Sequence, residues 1–355
     1  MSPDIDARET TTTARRQFLT SLPRRRGDLT PADEERGYWI RLHRRAMACR
    51  FEITLAGEDG AFVPAARIAL DEIDRLEDEL SVFRETSAIS ELNRRAASQP
   101  VVVPRHLIDL LADCQRLHHE TGGAFDITSM PLSRCWGFLR REGRVPDADA
   151  IEAARTLVGF DAVQLDRDEG SVRFTREGAE LNLGAIGKGY ALDRVSSGLR
   201  ASGVAHALLS AGRSSLLAIG GRGDGWRIDL VSPHVAGRAI AGLWLRNAAL
   251  GTSGAGEQFV IADGHRYGHV IDPRTGWPAN GVVSASVVAS DAASADALST
   301  AFLVGGIDLA KRYCAEHRDV LALITPDGGS ERPVVIGRHP GVRLAGHGST
   351  TSSAQ

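Results

Sequence analysis

With 355 residues, 43% of them hydrophobic, the chain can bury a sizeable core, as one large or two modest domains. A net charge of −3 and the lack of a basic stripe interleaved with aromatics speak against a nucleic-acid binder, and no apolar run approaches the roughly 20 residues of a membrane span. The four cysteines (Cys49, Cys114, Cys135, Cys314) are scattered, with no CxxC pair and no histidine at metal spacing, and read as small buried hydrophobes in a reducing compartment.

Residues 1–36 read as a disordered, arginine-rich tail. Ala14-Arg15-Arg16-Gln17-Phe18-Leu19 is similar to a twin-arginine export signal, but Pro23-Arg24-Arg25-Arg26 follows too soon to leave an apolar h-region. A cytoplasmic location is therefore expected, with export through a degenerate twin-arginine signal as the alternative. Residues 37–343 show no clear linker and form the main domain; 344–355 are a polar tail.

Within the domain, Tyr38 to Leu55 suits a pair of strands or one long bent strand. Residues 65–83 read as a helix whose stripe is Ile68, Ile73, Leu76, Leu80 and Phe83. Ser87–Leu92 reads as a short capped helix or a loop, and another helix starts with Pro104 at its first position and buries Leu107, Ile108, Leu111, Cys114 and Leu117. The stretch from Gly123 to Phe138 is apolar and aromatic, yet too broken by glycine and proline for a regular element. Residues 147–158 read as a helix and 163–165 with 172–174 as a hairpin. Strands follow at 204–210, 215–219, 226–231, 239–246, 257–261, 266–271 and 284–289. Two helices, Ala292–Val304 and Leu309–Glu316, precede strands at 320–324 and 333–337. Strands in meanders followed by helices, without strict βαβ alternation, predict an α+β fold with mixed or antiparallel sheets and two intertwined subdomains around a cleft.

Leu181-Asn182-Leu183-Gly184-Ala185-Ile186-Gly187-Lys188-Gly189-Tyr190-Ala191-Leu192-Asp193 stands at the centre. A short strand, 180–183, enters a glycine turn and then a helix. Backbone amides at such a junction point into open space and the helix dipole favours an anion there. The chain has only two lysines among 42 basic residues. Lys188 in that turn thus suggests a compact ammonium is wanted rather than a planar guanidinium. The plain alternative is a solvated lysine on a strand-to-helix turn. A P-loop is excluded, because Asn182 and Gly189 stand where the pattern needs glycine and Ser/Thr.

Three further clusters carry candidate chemistry. Asp296 and Thr300, four apart on a helix capped by Ser290 or Asp291, share a face and offer hard oxygens suited to Mg²⁺; they equally fit an exposed aspartate and a back-bonding threonine. His269, before the Asp272-Pro273-Arg274-Thr275-Gly276 turn, is either a core histidine or a proton acceptor near neutral pH. Leu250-Gly251-Thr252-Ser253-Gly254 and Gly212-Arg213-Ser214-Ser215 read as tight turns with hydroxyls.

Collinear from about Met47 to Val304, these stretches resemble the FAD:protein FMN transferases, the ApbE-like flavin transferases. The residues that carry the resemblance are Glu79-Leu80-Ser81-Val82-Phe83, Ser90-Glu91, Gly123-Ala124-Phe125-Asp126-Ile127-Thr128, Trp136-Gly137-Phe138, the central motif, Thr252-Ser253-Gly254, His269 to Gly276, and Ala295-Asp296-Ala297-Leu298 with Thr300. The resemblance implies an enzyme that splits FAD, releases AMP and attaches FMN by a phosphodiester to a serine or threonine of an acceptor flavoprotein, using Mg²⁺. It implies a metal held by the Ala185 carbonyl, Asp296 and Thr300. Asn182 and Lys188 would lie along FAD, with Met47, Phe83, Ala124, Phe125 and Asp126 lining the isoalloxazine and adenine ends. His269 would sit near the phosphates or the attacking hydroxyl, and either Asp296 or His269 would serve as base. FAD hydrolysis to FMN and AMP, and FAD binding without turnover, are the alternatives. Ser210-Ala211-Gly212-Arg213-Ser214-Ser215 departs from the family pattern of an asparagine and a Gly-Gly pair with an acid, and Arg213 is a candidate extra phosphate contact there.

Overall fold

The structure, a computed structural model, describes residues 20–21 and 38–345 apart from 236, 257 and 329–331. Of the tail only Thr20–Ser21 is among them, as a two-residue strand (β1); the twin-arginine stretch lies outside the described residues. Trp39–Ala46 (β2) and Cys49–Ala56 (β3) form a hairpin, closed by Met47 and Ala48 with φ of 48° and 56°. Helix α1 (Val63–Leu80) buries Ala66, Ala69, Leu70, Ile73, Leu76 and Leu80. Ile68, expected on that stripe, is 71% exposed, because five residues carry it about 140° round the helix from Ile73. Ser87 caps α2 (Ala88–Arg95) by accepting from the Ser90 amide. Val101–Val102 (β4) leads to α3 (Arg105–Glu120), with Pro104 at the N-cap rather than the first helical position. In the stretch expected to be irregular, Met130–Cys135 forms a short helix (α4) and Phe138–Arg140 a 3-10 turn. α5 (Ala148–Arg155) and the hairpin β5 (Val163–Asp166) and β6 (Ser171–Phe174) follow.

Helix α6 (Gly187–Ala201) is followed by β7 (Ala207–Ala211), β8 (Ser215–Ile219), β9 (Trp226–Val231), β10 (Ala239–Leu245) and β11 (Ala248–Gly254). Then come β12 (Phe259–Ala262), β13 (His265–Gly268), β14 (Val282–Ala289) and α7 (Ala292–Glu316). Strands β15 (Leu321–Pro326), β16 (Val334–Gly337) and β17 (Val342–Leu344) complete the described chain. Gly306, at φ 68° and ψ −164°, breaks α7 where two helices were expected. By length and composition α7 could cross a bilayer, unlike any run picked out in the sequence, but more than half of it is buried in the core.

Eight strands form one antiparallel sheet, in the order β16-β15-β14-β11-β8-β7-β3-β2. Both of its faces are covered. Leu209, Leu217, Ala249 and Val287 point to the helices, while their neighbours Leu208, Leu216, Leu250 and Val288 point to a second sheet, β1-β9-β10-β17. That is why β8 reads, after Ser215, as an unbroken apolar run rather than as an alternating one. A third cluster, Leu132, Trp136, Phe138, Ile151 and Ile271, forms the small aromatic part beside the β12–β13 hairpin. The result is the expected α+β arrangement of antiparallel sheets and helices.

Candidate active site

The first turns of α6 and α7 meet backbone to backbone. A Cβ on Gly189 would lie 2.0 Å from the Ala292 carbonyl oxygen, and one on Gly251 of β11 would lie 2.3 Å from that of Ala295. Only glycine allows these approaches. They bring the loop before α6 and the first turns of α7 onto one end of the large sheet. Residues 180–183, expected as a strand, are extended but unpaired with any strand: the Leu181 amide and carbonyl bond the Asn93 side chain at 2.7 and 3.0 Å, and the Asn182 amide donates to Ile127 O at 2.7 Å.

A cleft of about 290 Å³ opens there, at the lower edge of the ~300–1,000 Å³ usual for small-molecule sites. Ala124, Phe125, Asp126, Asn182, Ala185, Lys188, His269, Asp296 and Thr300 all line it. Met47 and Phe83 do not. Met47 sits in the β2–β3 turn, where its amide donates to Glu77 Oε1 at 2.6 Å. Phe83 follows the end of α1 and is 75% exposed. The Gly212–Arg213 pair, φ 59° and 74°, closes the β7–β8 hairpin. It turns Arg213 away from the cleft, onto a small cavity with Leu230, Ile240 and Pro333 on the far face of the sheet.

Asp296 is buried in the wall of the cleft. Its Oδ1 accepts from Ser215 Oγ at 2.6 Å and its Oδ2 from the Gly189 amide at 2.7 Å. Burial pushes its pKa up, against the opposing pull of Lys188, Ser215 and Gly189. Lys188 Nζ donates to Ser214 Oγ, so the ammonium is held at the cleft wall. The α6 amides are less open than expected: Gly187 N donates to Leu183 O at 2.7 Å, Gly184 N to Asn182 Oδ1 at 2.9 Å, and Gly189 N to Asp296. Positive potential toward an anion therefore rests mainly on the Lys188 charge.

Thr300 Oγ1 lies 3.1 Å from Ser253 Oγ and donates to Asp296 O at 3.3 Å, and Ser253 Oγ is 2.8 Å from Ser299 Oγ. Ser253 in this hydroxyl cluster comes from β11, a central strand where the sequence suggested a turn, and Ser299 and Thr300 come from α7. His269 Nδ1 faces Gln258 O at 3.2 Å. A carbonyl only accepts, so Nδ1 carries the hydrogen and Nε2 the basic lone pair. At the other end, Asp126 Oδ1 accepts from the Thr128 amide and hydroxyl at 2.7 and 2.6 Å, and His118 Nδ1 is 3.2 Å from its Oδ2. Cys49 is no candidate nucleophile, since burial pushes its thiol up to about 11 despite nearby Lys188.

The donor set fits a hard divalent cation. Among the described residues no three His, Cys, Asp or Glu cluster. The oxygens available here are instead one carboxylate, a hydroxyl and the Ala185 carbonyl, with room in the cleft for water and phosphate, as Mg²⁺ prefers. Ser214, Ser215, Ser299 and His118 were not singled out as site residues. Only Ser214 and Ser215 stood in a marked turn, and serine carries little signal by itself.

The ApbE family profile matches residues 47–324. An FAD:protein FMN transferase of Treponema pallidum (strain Nichols) is 35% identical over 288 residues, which cover 74% of this chain and 79% of that protein. The crystal structure of the ApbE protein of Thermotoga maritima aligns with a TM-score of 0.75 at 30% identity, covering 82% of this chain and 96% of that one. For the flavin transferase ApbE of Vibrio cholerae the TM-score is 0.74 at 26% identity, with 84% and 97% covered.

Proposed function

The chain belongs to the ApbE family, and from that premise we propose that its cleft holds FAD with the pyrophosphate against Lys188 and the first turn of α6. The protein is an enzyme, an FAD:protein FMN transferase. The observation that carries the assignment to this cleft is convergence: Ala185, Lys188, His269, Asp296 and Thr300, from separate segments, line one cavity with the Ala124–Asp126 segment at its side.

The acceptor is a serine or threonine hydroxyl of a flavoprotein. Its oxygen attacks the phosphorus that carries riboflavin, the bridging P–O bond breaks, and AMP leaves with the bridging oxygen. Lys188 places a positive charge against phosphate oxygens whose charge redistributes as the bond breaks, the main catalytic need in this chemistry. The acceptor proton goes to a base. His269 and Asp296, which both line the cleft, are the two groups placed to take it. Asp296, Thr300 and the Ala185 carbonyl would hold Mg²⁺, which when bound supplies further neutralisation of phosphate charge.

The test is Asp296→Ala. AMP release from FAD with Mg²⁺ should fall by about 100-fold or more, while the Gly189 amide and the Ser215 hydroxyl, each left without its acceptor, cost about 1–3 kcal/mol apiece in stability. Wild-type turnover in the variant would remove Asp296 from the site.

A further inference from the structure

We propose that Asp193, which does not line the cleft, is the positioning residue that fixes Asp296 and Thr300 relative to Ala185, through a reciprocal clamp between the first turns of α6 and α7. The inference rests on the reading that these three residues hold a divalent cation.

Asp193 of α6 accepts from the two leading amides of α7, Ala292 N on Oδ1 and Ala293 N on Oδ2, each at 2.8 Å. Asp296 of α7 accepts in return from the Gly189 amide of α6 at 2.7 Å. The two halves match in spacing: each carboxylate stands four residues after the leading amide that its counterpart holds, Gly189 with Asp193 and Ala292 with Asp296. The side chain of the α7 N-cap, Asp291, accepts from the Ser294 amide and not from Ala292 or Ala293. The Ala292 and Ala293 donors, which a helix leaves without intrahelical partners, therefore depend on Asp193. Ala292 is buried, which limits how far water can replace the lost acceptor.

The clamp spans the parts of the cation site that sequence holds far apart. Ala185 precedes α6 by two residues, and Asp296 and Thr300 sit on the first turns of α7. Without Asp193, one half of the clamp is gone and the spacing rests on the Asp296–Gly189 bond alone, made by the ligand itself. Groups that orient a metal ligand typically matter by 10–100-fold in metal affinity.

The experiment is direct Mn²⁺ binding, followed by the paramagnetic resonance of the free ion, with ADP as an unreactive pyrophosphate. It compares the full chain with Asp193→Ala, Asp193→Asn and Leu199→Ala. Leu199 is buried at the far end of α6 and serves as a purely structural comparator. Asp193→Ala should weaken Mn²⁺ by about tenfold or more. Asp193→Asn keeps one acceptor and should fall between. Leu199→Ala should lower the melting temperature and leave the Mn²⁺ affinity of the folded protein unchanged. Equal Mn²⁺ affinity in wild type and Asp193→Ala, or a loss in Leu199→Ala as large as in Asp193→Ala, would overturn the clamp alone. If the wild type itself binds no Mn²⁺, the cation reading fails and the clamp's role falls with it.

Discussion

His118 shows how a cleft residue is held from behind. Burial alone would lower its pKa, but the hydrogen bond and charge of Asp126, with the Phe125 carbonyl, outweigh it and raise it above the usual 6.5. A raised histidine pKa means that the folded state binds the extra proton. The stabilisation is fully present below about 6.5 and is lost as pH rises through the raised value. The melting-temperature advantage of wild type over His118→Gln should therefore be largest near pH 5.5 and shrink toward pH 9. An advantage independent of pH would mean that the His118–Asp126 pair is not an ion pair. Asp193, pushed up to about 7 by burial and by Asp291 and Asp296, against the Ala292 and Ala293 amides, is the other strongly displaced carboxyl near the site. Much at this scale was legible beforehand. A lysine in a glycine turn and an Asp-x-x-x-Thr helix face are chemical signals in one dimension. The hydroxyls of Ser214, Ser215 and Ser299 are not, because a serine's role depends on what the fold sets opposite it.

At the scale of elements, legibility followed the pattern of burial. The bounds of β8 and β9 were readable because short apolar runs between glycine turns have few other uses. Strand β11 was hidden by its own close packing. Gly251-Thr252-Ser253-Gly254 has turn composition, yet Gly251 is there because the Ala295 carbonyl approaches it, and Ser253 is there to meet Ser299 and Thr300. Likewise 180–183 looked like a strand because apolar alternation reports burial, whereas its hydrogen bonds run to Asn93 and Ile127. Gly251→Ala follows as a test. A methyl there must push α7 outward at Ala295, which costs about 1–3 kcal/mol and shifts Asp296 with it. A lower denaturation midpoint together with slower AMP release is expected. An unchanged midpoint would contradict the packing described.

For the whole molecule, the large sheet is covered by helices on one face and by a second sheet on the other, and the cleft lies at the end where α6 and α7 begin. The α+β class could be read from meanders without βαβ alternation. The cleft could not be read by spacing alone, since Asp126, Lys188, His269 and Asp296 are distant in sequence; there the resemblance supplied the grouping. Its expectations for Met47 and Phe83 have no counterpart among the residues that line the cleft. The measurement that tests the central claim most directly is incubation of the full chain with FAD, Mg²⁺ and an acceptor peptide carrying a serine or threonine in a flavinylation motif. AMP is quantified and the peptide mass recorded. AMP release that depends on the peptide, with FMN added to its hydroxyl residue, is the predicted result. Equal AMP release without the peptide, and a peptide of unchanged mass, would mean that water is the acceptor and would contradict the account.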